Sequence, residues 1–162
     1  MRRSLAAVVG LLALSGCGYR LAHTNRTIHV ALSSEGPVHP DAIPSVQSAL
    51  AERIRSEGMR VGSGEGVVEI DVVIVGSEEA PSAPTGSMES GFESSAWEVE
   101  IRARATLRRA DGSTTDLGAF DASATERVGA SAPEDDEAQA SGYATAARSL
   151  AERIIAALIS AP

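Results

Sequence analysis

The sequence predicts an α+β fold. The expected architecture is a two-layer α/β sandwich, a four-stranded mixed sheet with two helices on one face, in the order β-α-β-β-β-α. Three observations lead there. Four stretches alternate apolar and polar residues with period two, as strands buried on one side do. Two stretches repeat apolar residues every three or four positions, the stripe of a helix that covers something. Each of these segments has a single apolar face, so two packed layers bury all of it.

The first strand spans residues 27–32, where Ile28, Val30 and Leu32 share a face and His29 falls on the wetter one. Residues 33–40 are rich in Ser, Gly and Pro and read as a loop. Asp41 is placed to cap the helix that follows, and Pro44 lies in its first turn, where a missing N–H costs nothing. Ile43, Val46, Leu50 and Ile54 form the stripe, and Gly58 ends the helix. The strand 67–75 has Val68, Ile70, Val72 and Ile74 on one face and Glu69 and Asp71 on the other. A helix between two strands implies a parallel βαβ unit.

Residues 76–96 turn to Gly, Ser, Pro, Glu and Ala and read as a flexible loop, with Met88 and Phe92 its only large apolar residues. From Trp97 to Arg108 the alternation returns almost without error. Trp97, Val99, Ile101, Ala103, Ala105 and Leu107 face the core, opposite Glu98, Glu100, Arg102, Arg104, Thr106 and Arg108. Asp111-Gly112 is a favoured hairpin pair. The return strand carries Phe120, Ala122 and Ala124 in one phase and Leu117 in the other, which puts a bulge at Gly118. Pro133 breaks that strand, and the acids of residues 134–137 complement the positive end of a second helix. Its stripe is Tyr143, Ala147, Leu150, Ile154 and Leu158.

The chain begins with Arg2 and Arg3, an apolar run over 5–14 and then Ser15-Gly16-Cys17. That is the layout of a secretory signal, too short to span a bilayer. Leu14-Ser15-Gly16-Cys17 resembles the bacterial lipobox, which implies cleavage after residue 16 and lipidation of Cys17. A plain signal would leave a lone thiol, since Cys17 is the only cysteine. On this reading 1–16 is removed, 17–26 is a lipidated tether and 27–160 is one domain. Several acyl chains together hold a protein stably on a membrane. Gly18 stands where an aspartate would retain a lipoprotein in the inner membrane, so the expected location is the outer membrane, facing the periplasm.

Loss of Arg2 and Arg3 moves the formal charge from −8 to −10. A chain this acidic has no electrostatic case for nucleic acid. No phosphate loop, nucleophile elbow or zinc-spaced Cys/His cluster is present, and the histidines lie at 23, 29 and 39. The expectation is therefore a protein without catalytic residues, metal or cofactor.

Cys17-Gly18-Tyr19-Arg20-Leu21 followed by β-α-β-β-β-α resembles the lipopolysaccharide-assembly lipoprotein family LptE. The resemblance implies a non-catalytic plug or adaptor of the outer-membrane β-barrel LptD, acting in lipopolysaccharide export, with the lipid itself as a further partner. The acidic charge and the long loop depart from that family. A second reading is an outer-membrane lipoprotein that regulates a periplasmic cell-wall enzyme, against which the short tether argues. The candidate binding residues are Arg102, Arg104 and Arg108 on one strand face, with Arg109 at the turn. They make either a positive strip for phosphates or acidic residues of a barrel, or a solvated face in which Glu98 and Glu100 pair with them.

Overall fold

The computed structural model describes residues 26–64, 67–82, 96–127 and 132–161. Its elements are β1 (Thr27–Ser34), α1 (Ala42–Ser56), β2 (Arg60–Val61), β3 (Val68–Ser82), β4 (Ala96–Arg108), β5 (Thr114–Arg127) and α2 (Ala132–Ser160). The sheet order is β2-β1-β3-β4-β5, with β1 parallel to both of its neighbours and β4 antiparallel to both of its own. Cys17, the tether to residue 25 and residues 83–95 lie outside the described residues.

The α+β sandwich is as expected, but the sheet has five strands, not four. The addition is β2, two residues that pair Thr27 with Arg60 and Ile28 with Val61. So short a segment carries no periodicity of its own. Its backbone bonds to β1, Arg60 N–H to Arg26 O (3.0 Å) and Gly62 N–H to Ile28 O (3.0 Å), create it.

β3 also runs past Val75, through residues 76–82, into what the sequence suggests is loop. The cause is a bulge. Ile74 pairs with Ala103 and Gly76 with Arg102, which leaves Val75 as an extra residue. An extra residue reverses which side chains face the core. Before it, Ile70, Val72 and Ile74 point at the helices and are fully buried. After it, Ser77 and Glu79 take that face, opposite buried Ile101 and Val99, and Glu78 turns outward. The expected second bulge is present in β5, where Leu117 is skipped between Asp116 and Gly118. Gly118 there has φ +109°, and its N–H donates to Asp116 Oδ1 at 2.8 Å.

Helix α1 ends in a Schellman motif. The N–H groups of Gly58 and Met59 reach back to Arg55 O (2.9 Å) and Ile54 O (3.1 Å). Gly58 has φ +77°, and Met59 tucks into the core. The start of α1 differs from expectation: Asp41 occupies the cap position without a side-chain capping bond. Instead its N–H donates to His39 Nδ1 at 3.3 Å. Helix α2 begins at Ala132, so the acids of residues 134–137 lie within its first turns rather than ahead of them.

Both helices start at the end of the sheet where β3 finishes and β4 begins, here the loop end. Both finish at the opposite, hairpin end, where β1 starts and Arg109 N–H donates to Ser113 O (2.8 Å) to close the β4–β5 turn. Between helices and sheet lies a core of Ala, Val, Ile and Leu around Tyr143. A fully buried Leu or Ile contributes roughly 1.5–3 kcal/mol. Close packing of α2 depends on Gly142, where a Cβ would lie 2.9 Å from Val99 Cγ2. On the outer edge of β5, Arg153 of α2 donates to Asp121 O at 2.6 Å.

Candidate functional site

The helix-free face of the sheet carries all three arginines of the β4 candidate strip. Arg102 pairs with Glu78 and lies 3.9 Å from Glu100, its Nη2 resting where a Cβ on Gly76 would be 3.4 Å away. Arg104 reaches across β3 to Glu35. Arg108 pairs with Asp71 at 3.1 Å. Arg109, at the turn, donates to Thr115 Oγ1 at 2.8 Å.

The structure thus brings the strip together on one face and weaves it with carboxylates from β3 and the end of β1. Glu98 takes no part in these pairs, and Glu100 only a distant one. The reason is register. Asp71 and Glu78 sit diagonally across from Arg108 and Arg102, opposite Thr106 and Glu100, which is the reach of a long guanidinium side chain. Exposed pairs of this kind contribute about 0–1 kcal/mol each. Chemically, the face offers guanidiniums whose remaining N–H donors a phosphate or a partner's carboxylate meets in competition with the internal carboxylates.

A second constellation lies on the helix side of the loop end, and the sequence reading missed it. His39 stacks on Tyr143 with ring centroids 4.6 Å apart and planes 7° from parallel. Its backbone N–H donates to Ser77 Oγ at 2.8 Å. Its Nε2 faces Glu79 Oε1 at 3.6 Å, and its Nδ1 lies 3.8 Å from Asp41 Oδ2. Gln139 Nε2 donates weakly to Glu79 Oε2 at 3.4 Å. Burial, and after it the Glu79 carboxylate, push the Tyr143 phenol well above its ordinary value.

The signal that would have found this cluster is the bulge at Val75, since it alone puts Ser77 and Glu79 inside. His39 reads as a loop residue and Tyr143 as part of a helical stripe, so neither announces the other. The cluster clamps the loop before α1 to β3 and α2. Among the described residues, no three His, Cys, Asp or Glu side chains converge as a metal site would require.

Two shallow cavities of about 250 and 330 Å³ line the outer seam between α1 and α2, sharing Ala49, Glu52 and Arg148. Arg148 bonds there to its own helix, at Ala144 O and Thr145 Oγ1 (both 3.2 Å). No helix among the described residues is long and apolar enough to cross a membrane.

A small open-faced sheet under two parallel helices is a fold seen in bacterial lipoproteins. The chain is similar to a putative lipoprotein from Caulobacter crescentus at TM-score 0.53 and 16% identity, covering 83% of this chain and 93% of that one. It is similar to the minor lipoprotein from Acinetobacter baumannii at TM-score 0.51 and 8% identity, covering 81% and 91%. It is also similar to rare lipoprotein B from Shewanella oneidensis at TM-score 0.50 and 13% identity, covering 82% and 94%. At such identities the likeness is one of fold. No protein-family model and no curated protein matches the sequence.

Proposed function

We propose that this protein is an outer-membrane lipoprotein, anchored through Cys17 on the periplasmic face. It acts there as a non-catalytic plug or adaptor of a β-barrel in lipopolysaccharide assembly and export. One observation carries the reading: a lipobox-like Leu14-Ser15-Gly16-Cys17 stands just ahead of a domain with the fold of bacterial lipoproteins. The Cys17-Gly18-Tyr19-Arg20-Leu21 start supports the finer assignment to an LptE-like role. The open sheet face supplies a surface on which a barrel can settle, its guanidiniums exchanging internal carboxylates for those of the partner.

The test is detergent extraction of tagged protein followed by affinity capture. Recovery with an outer-membrane barrel, and stalled lipopolysaccharide delivery on depletion, is the expected result. Recovery alone, with export normal after depletion, overturns it. Crosslinking to a peptidoglycan synthase instead would favour regulation of a cell-wall enzyme.

A further inference from the structure

The hairpin end is where the described chain starts, and it differs in charge from the rest of the domain. Arg26 and Arg60 sit side by side there, joined through their backbones at 3.0 Å. Arg55 lies in the last turn of α1, just before β2. All three are exposed, and none forms an ion pair among the described residues. Arg55 also complements the negative end of its helix. Arg26 and Arg60 belong to no helix, so that explanation does not reach them.

At the same end, Arg53 is taken by Glu57 and Arg108 by Asp71. Glu69, Asp111 and Asp116 are the other acids there, Asp116 level with Asp71 across Thr106, and Glu65 lies outside the described residues. The loop end is the acidic pole. Glu78, Glu79, Glu98, Glu100 and Glu126 gather there with the first turns of α2.

We infer that the hairpin end is a membrane-docking surface, on which Arg26, Arg60 and Arg55 rest against the anionic phosphates of lipid headgroups. The inference rests on lipidation of Cys17. Nine residue steps separate Cys17 from Arg26, so the tether reaches at most about 32 Å and keeps this corner of the domain near the leaflet. Net negative charge does not forbid the contact. The loop end lies about 36 Å away along β4, from Arg108 back to Trp97, whereas the field of an anionic membrane decays within about 8 Å at physiological salt. Only the hairpin end therefore feels the surface. Docked this way, the strands stand on the membrane and the open sheet face looks sideways.

Trp97, the chain's only tryptophan, sits at the loop end and reports the orientation. Protein extracted from membranes is reconstituted on vesicles of phosphatidylcholine, or of phosphatidylcholine with phosphatidylglycerol, each bearing a headgroup energy acceptor for Trp97. The protein should float with both. Energy transfer should be low on the anionic vesicles and higher on the neutral ones. It should also rise on anionic vesicles for Arg26→Ser with Arg60→Ser, each arginine shifting the orientation equilibrium about fivefold.

Flotation with equal transfer in every case overturns the docking surface and leaves the anchor standing. Highest transfer on anionic vesicles overturns it too, since the loop end would then face the membrane. Failure to float on phosphatidylcholine, with Cys17 unmodified by mass spectrometry, overturns the anchor and the inference with it.

Discussion

The two faces of one sheet are built from alternate residues of the same strands and held by different physics. On the helix side, Ile70, Val72, Ile74, Val99 and Ile101 are wholly removed from water against Leu50, Leu150 and Ile154. On the open side, Arg104 and Arg108 are more than half exposed beside their carboxylates, and Arg102 is 43% exposed. The first face is specified by shape and area. The second is specified by charge pattern, which solvent weakens. Stability therefore resides on one face, and freedom to change partners on the other.

The largest expected effect comes from the buried side. Leu150→Ala should cost about 2–5 kcal/mol by chemical denaturation, the range for a large-to-small change in a packed core. A loss under 1 kcal/mol would show that the helix layer is loosely packed and the contrast overstated. Next is Gly142→Ala, whose methyl group would sit 2.9 Å from Val99 Cγ2 and 3.3 Å from Glu126 Cγ. It should cost about 1–3 kcal/mol. Adding Val99→Ala should return part of that loss, a non-additivity that a double-mutant cycle measures.

Third is the phenol of Tyr143, which burial holds above its ordinary value of 10.0. The folded state keeps this proton longer than the unfolded state does. The contribution is therefore whole below pH 10.0 and declines as pH rises above it. Stability should fall on the alkaline side, and Tyr143→Phe should remove that slope. In the folded protein, tyrosinate absorbance should show delayed ionisation of Tyr143. Smallest is the open face. Arg102→Ser with Arg104→Ser should change stability by no more than about 1 kcal/mol for each of the two close pairs lost, and less at high salt. A larger loss would mean that the ion pairs hold the sheet and that the two faces are not so different.

Strong local patterns made much of this legible in sequence. The alternation of Trp97–Arg108, the stripes of both helices, the stop at Gly58 and the bulge at Gly118 all register in residue types and spacing. The strip arginines were placed on one face for the same reason, since period two admits no other arrangement. Their partners were not legible, because Glu35 and Glu78 reach them only through tertiary register. The His39–Tyr143–Glu79 cluster was hidden behind a single unpaired valine. Val75 looks like one more residue in an apolar run, yet it decides which of two neighbouring glutamates is enclosed. The strand β2 was hidden too, since two residues become a strand only beside β1.

The contact between Arg153 and the backbone of Asp121 has a consequence for crowding. β5 presents an outer edge of fourteen residues, Thr114–Arg127, with neither proline nor lysine in it. An edge of that length is a template on which another extended chain can continue the sheet, and association of that kind ends in insoluble aggregates. A guanidinium seated on a carbonyl near the midpoint divides the template into two shorter runs. At high local concentration, copies of one chain meet at such edges first. The arginine adds to the bulge at Leu117 a protection that the edge strand's own sequence does not reveal, since it comes from a helix.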